Sequence, residues 1–158
     1  MIFHASIPAD DPKHVAGVLA EILGGEALPF PPWPGAFVAL AGDARSTTIE
    51  VYPRKAVIYP GDGEEMCRAS EDTDARRYSC IHLAVATRLS VDEVLAIGAR
   101  EGWRTLKLNR GGLFDVIEFW VENSLMIEFM TEEMQAQYLA RPNIPGWRNF
   151  IASFGTAA

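Results

Sequence analysis

One spacing occurs twice in this chain, and it limits the fold more than any other feature. His4 and Glu50 lie 46 residues apart (50 − 4), as do His82 and Glu128 (128 − 82). Each member of the second pair follows its counterpart by 78 residues (82 − 4 and 128 − 50). A chain of 158 residues therefore reads as two copies of one module, each supplying an imidazole and a carboxylate. The local patterns repeat in the same order. Module one opens with a strand over 2–7. Asp11 then caps a helix whose first residue is Pro12, where a missing N–H costs nothing. Val15, Val18, Leu19 and Ile22 fall on one helical face, and Gly24-Gly25 suits the left-handed closing residue. Strands are expected at 36–41 and 46–52, with a short one near 26–28. In module two a strand over 78–86 leads to Ser90 and Glu93, a capping box. A helix ends at Gly102, which is 78 residues after Gly24, and strands follow at 103–108, 114–121 and 125–131, the last after a turn at Asn123-Ser124.

Each module is thus strand–helix–strand–strand–strand, and the class is α+β. The expected organisation is a first βαβββ module over 1–59, a polar linker or lid over 60–77, a second module over 78–131 and a helical tail over 132–158. Alone, each module would leave a sheet face uncovered; two together give a cupped mixed sheet. In the tail, a helix-like stretch reaches Ala140, and Trp147, Phe150, Ile151 and Phe154 share a further helical face suited to packing.

Alternation along the strands puts the four repeated residues on one kind of face. Phe3, Ala5, Ile49, Val51, Ile81, Leu83, Ile127 and Phe129 flank them and are expected to point the other way, towards the helices. Glu128 is the sharpest case, since it sits in LMIEFM with apolar neighbours on both sides. A buried carboxylate must be protonated, paired with a cation or bound to a metal. Two imidazoles and two carboxylates make a nitrogen/oxygen set suited to one divalent ion: Zn, Ni, Co, Mn or Fe. The same parity puts Ser6, Thr48, Tyr52, Cys80, Met126 and Met130 on the ligand face, a mixed lining suited to a small organic substrate. Glu118, a second acid in an apolar strand, either faces this pocket or pairs with Arg104 or Arg110. His14 falls off the repeat and reads as a solvated residue.

With these residues in place, the chain resembles the vicinal oxygen chelate superfamily, which includes glyoxalase I, ring-cleaving dioxygenases, fosfomycin-resistance enzymes and metal-free antibiotic-binding proteins. The resemblance covers about residues 1–131 and includes ILGGEAL after the first helix. It implies a glyoxalase-like fold, with His4, Glu50, His82 and Glu128 as metal ligands on the first and last strand of each module. It also implies a lyase or isomerase that moves a proton beside a chelated carbonyl, with Glu128 as the first choice of base and Glu50 as the symmetric alternative. A metal-free binding protein and an Fe(II) extradiol dioxygenase are the other activities it allows, though Glu50 fits the four-ligand, redox-neutral branch better. A homodimer is implied as well. The segment VENSLMIEF lacks the Asp-Pro-(Asp/Asn)-Gly turn of many members, and no signature for glutathione or coenzyme A is present.

Bulk properties narrow the partners. The net charge of −7, with no block of Lys and Arg, argues against a nucleic-acid surface. Cys67 and Cys80 make no disulfide framework and suit a reducing cytoplasm. No signal peptide is expected from MIFHASIPADD, and four prolines between Ala27 and Gly42 exclude an ordinary membrane helix there.

Overall fold

In the computed structural model, residues 4–59, 64, 67–74 and 76–140 are described. The strand before the first helix is β1 (His4–Ala9), followed by α1 (Pro12–Leu23), β2 (Glu26–Pro29), β3 (Phe37–Leu40) and β4 (Thr48–Pro53). A two-stranded hairpin, β5 (Ala56–Tyr59) with β6 (Arg68–Glu71), comes next. The pattern then recurs as β7 (His82–Ala86), α2 (Val91–Glu101), β8 (Thr105–Asn109), β9 (Asp115–Val121) and β10 (Leu125–Met130), and α3 (Glu132–Leu139) follows. The helix expected up to Ala140 is α3; the aromatic face at Trp147–Phe154 lies outside the described residues.

Each βαβββ run forms its own four-stranded sheet, ordered β1-β4-β3-β2 and β7-β10-β9-β8. The first strand runs parallel to the last, and the other pairs given a register are antiparallel, so both sheets are mixed. The first-to-last pairing follows from chain direction: after a helical crossover, two hairpin reversals bring the final strand alongside the first in parallel.

Both helices start and stop as their sequences direct. The Asp11 side chain accepts from the His14 N–H, and Ser90 and Glu93 cap each other reciprocally. Gly24 and Gly102 close the helices with φ of 70° and 68°, a backbone region that glycine enters at no steric cost. Helix α1 packs on its sheet, where the buried residues are Ile7, Ala9, Ala39, Ile49 and Val51 on the strands and Val15, Leu19 and Ile22 on the helix. Its counterpart α2 comes so close to β8 that a Cβ on Gly98 would collide with the Thr105 side chain. The second sheet buries Ile117, Phe119, Val121, Ile127 and Phe129, and Phe119 stands edge-on to both Trp103 and Phe129.

Strand ends shift from expectation: β1 runs on to Ala9, and β4 and β8 start two residues late, at Thr48 and Thr105. Strand β7 begins at His82 rather than Tyr78, and Ile81 is exposed instead of facing a helix. The interval read as a polar linker contains β6, which pairs with the apolar β5. The tight turn into β10 is centred on Glu122 and Asn123, with φ of 49° and 52°, one residue earlier than expected. By contact density the chain divides into two compact units, Met1–Ile81 with Trp120–Leu125, and His82–Phe119 with Met126–Ala158.

Candidate functional site

Register explains why a spacing of 46 residues brings two side chains together. Strands β1 and β4 are neighbours, with His4 opposite Thr48 and Ser6 opposite Glu50. His4 and Glu50 are therefore diagonal partners on one face, and His4 Nε2 lies 3.9 Å from Glu50 Oε1. The other carboxylate oxygen is held from both sides. Ser6 Oγ donates to Glu50 Oε2 at 2.9 Å, and the Tyr52 hydroxyl donates to the same atom at 3.1 Å. Glu50 thus keeps one oxygen fixed by neutral donors and turns the other towards an exposed imidazole.

Tyr52 is fixed in turn by aromatic rings. Phe30 and Trp33, brought back by the proline-rich link, stand edge-on to it with centroids 5.8 and 5.4 Å away. Burial is the main cause that pushes its phenol up to about 12, and the hydrogen bond and negative charge of Glu50 add to it. At ordinary pH Tyr52 is a neutral donor. Neither Phe30 nor Trp33 was singled out from the sequence, because alternation along strands does not reach residues in a loop.

The second sheet repeats the register. His82 is opposite Met126, and Ala84 is opposite Glu128, so this pair is also diagonal on adjacent parallel strands. Its surroundings differ. Ser6 is replaced by Ala84 and Tyr52 by Met130 at the 78-residue offset, so neither hydroxyl donor is present. Glu128 is buried, at 8% exposure, and meets Arg110 instead. Arg110 Nε donates to Glu128 Oε1 at 3.0 Å, its Nη2 donates to that same oxygen, and Nη2 also donates to Glu118 Oε1 at 2.7 Å. Burial works against the Arg110 charge, but the hydrogen bonds and charges of Glu128 and Glu118 outweigh it and keep the guanidinium protonated. Of the three fates open to a buried carboxylate, Glu128 takes a cation. The sequence pointed to Arg110 as a partner for Glu118; its reach to Glu128 was missed because it arrives from the β8–β9 turn and not from the strand itself.

The other expected lining residues are scattered in exposure. Thr48 and Met126 are half-buried, Met130 is buried, and Ser6 is exposed. Cys80 lies ahead of β7 and is exposed, so strand alternation does not assign it a face. Among the described residues no group of three or more His, Cys, Asp or Glu side chains is assembled for a metal ion.

Solved structures give an independent measure of the architecture. A genomically encoded fosfomycin resistance protein from Listeria monocytogenes superposes with a TM-score of 0.55 at 14% identity, over 87% of this chain and 97% of that one. The fold is glyoxalase-like. The lactoylglutathione lyase of Agrobacterium tumefaciens matches this glyoxalase-like fold with a TM-score of 0.54 at 11% identity, over 84% of this chain and 93% of its own. The trypanothione-dependent glyoxalase I of Leishmania major gives 0.52 at 13% identity, over 89% and 92%. No protein-family model and no curated protein matches the sequence. No helix among the described residues is long and apolar enough to cross a membrane.

Proposed function

We propose that this protein is a metal-dependent lyase or isomerase of glyoxalase type, acting on a small substrate that chelates a divalent ion through two adjacent oxygens. The His4–Glu50 pair carries the reading. Two ligand bonds of about 2.1 Å put their donors about 3.0–3.4 Å apart at octahedral or tetrahedral angles, so the pair at 3.9 Å needs to close by only about half an ångström or a little more to share an ion. The nitrogen/oxygen donor set is chemically apt as well. The proposed ligand positions are His4 and Glu50 on the first sheet and His82 and Glu128 on the second.

When bound, such an ion supplies Lewis acidity, polarising a substrate oxygen. The residues do the rest. A carboxylate takes the proton from the carbon beside the carbonyl and returns it to the neighbouring atom, so the net change is a proton shift. Glu128 was the first choice for this task by sequence. Two hydroxyls on Glu50 Oε2 turn our choice to that residue, whose Oε1 meets only the imidazole of His4 among the described residues. Ser6 and Tyr52 aim that carboxylate, and the neutral Tyr52 keeps its proton throughout. Met126 and Thr48 on the same faces would line the substrate, in a homodimer of the cytoplasm. Module limits at 1–59 and 78–131 are our division of the repeat.

The test is metal content by elemental analysis on untagged protein, beside a His4→Ala, Glu128→Ala double variant. About one divalent ion per chain, lost in the variant, is the expected result. Glu50→Gln, loaded at saturating metal because it has lost a carboxylate ligand, should lose proton exchange at the substrate α carbon; full exchange in that variant would remove Glu50 as base. One observation favours a second reading. Arg110 already neutralises Glu128, as it would in a metal-free protein that binds a small molecule without turnover. Absence of metal in every form, with thermal stabilisation by ligand alone, would select it.

A further inference from the structure

Arg110 belongs to a turn closed by hydrogen bonds. Asn109 Oδ1 accepts from the Gly112 N–H, the Arg110 N–H donates to the Phe114 carbonyl at 2.8 Å, and the Leu113 N–H donates to the Arg110 carbonyl at 3.0 Å. From this base the side chain reaches over β9 and β10 to cover two acids. The Arg110 side chain is 30% exposed, against 13% for Glu118 and 11% for Glu128, so the cation lies between solvent and both carboxylates. Both of its contacts to Glu128 fall on Oε1, and no described residue donates to Oε2. The first module has no such device: the positions 78 residues earlier than Arg110 and Glu118 are Pro32 and Leu40.

We propose that Arg110 is a resident cation which occupies Glu128 in the metal-free chain and is exchanged for the divalent ion, with Glu118 retaining it after release. The proposal rests on the metal-dependent reading above. Two cations cannot share one buried carboxylate without strong repulsion, because the interior screens them poorly. Loading therefore has to move the guanidinium away from Glu128. Glu118 makes that movement short, since Nη2 already hydrogen-bonds to it and the arginine keeps an ion pair when it swings off. The arrangement also protects the metal-free fold, because a carboxylate buried as deeply as Glu128 is costly without a counter-charge. Arg110 and Glu118 are positioning residues for the metal, outside its ligand set.

Cobalt(II) titration of the metal-free protein, followed by visible absorption and by competition with a chelating indicator, tests this. Arg110→Gln removes the competitor and should bind cobalt about tenfold more tightly than wild type. Glu118→Gln removes the alternative anchor, holds Arg110 on Glu128, and should bind it more weakly. The two shifts have opposite signs, which general destabilisation would not produce, and Glu118→Gln serves alone if Arg110→Gln fails to fold. Equal affinity in wild type and both variants, with cobalt still lost in His82→Ala, would overturn the exchange and leave the metal site standing. Failure of every form to bind cobalt would overturn both.

Discussion

Glu50 and Glu128 hold the same position in two copies of one module and have opposite company. Glu50 is held by hydroxyls, and Glu128 by a guanidinium. Tyr52 makes the difference measurable. Its folded-state pKa is raised, so the stability it contributes is full below the ordinary phenol value near 10 and drains as pH rises through about 12. A phenolate difference spectrum should show one tyrosine titrating near pH 12, and Tyr52→Phe should abolish that late step. If the step survives in Tyr52→Phe, the assignment is wrong. The same variant should cost about 1 kcal/mol in urea unfolding, the usual worth of a hydrogen bond to a partly buried acceptor. At this scale the sequence was informative wherever strand parity applied: His4, Ser6, Glu50 and Tyr52 share the face that alternation predicts. It was silent on Phe30, Trp33 and the long reach of Arg110, because loops and flexible side chains carry no period.

Helices were more legible than strand ends, because a helix carries its own start and stop chemistry. Asp11, Ser90, Glu93, Gly24 and Gly102 all act at the ends where they were expected. A strand exists only where a neighbour completes its hydrogen bonds. Tyr78–Ile81 has strand-like composition, yet the ladder with β10 opens at His82 opposite Met126, and β10 itself begins only at Leu125. Conversely, the polar RASE segment becomes β6 because β5 pairs with it. Two substitutions probe the elements. Ser90→Ala should lower stability by about 1 kcal/mol through loss of the α2 cap. Gly98→Ala, although it raises helix propensity, should cost about 1–3 kcal/mol, because the new methyl collides with Thr105 and drives α2 off β8. Chemical denaturation of each reads the effect; an unchanged midpoint in Gly98→Ala would mean that the helix has room to shift.

Over the whole molecule, one cluster joins residues far apart in the chain. Glu122, in the β9–β10 turn, accepts the backbone N–H groups of Asp10 and Asp11 at 2.7 and 2.8 Å, where α1 begins. Arg54 bonds to Glu122 at 2.8 Å, to Asp10 and to Ser124, and the Ser124 hydroxyl donates to the Arg77 carbonyl. Residues 120–125 accordingly belong to the compact unit built mainly from the first half of the chain. Arg54→Ala would leave two acids facing each other without a cation and should cost about 3 kcal/mol, read from the shift in the urea midpoint. The cluster could not be read from periodicity, since tertiary ion pairs follow no sequence spacing. The 78-residue offset, by contrast, holds from His4 and His82 through Gly24 and Gly102 to Glu50 and Glu128. It has a practical consequence. Such a doubled chain contains its own control: any property of one half can be transplanted to its twin and judged there. Placing a serine at position 84 and a tyrosine at position 130 would ask whether hydroxyls alone can make the second glutamate behave like the first.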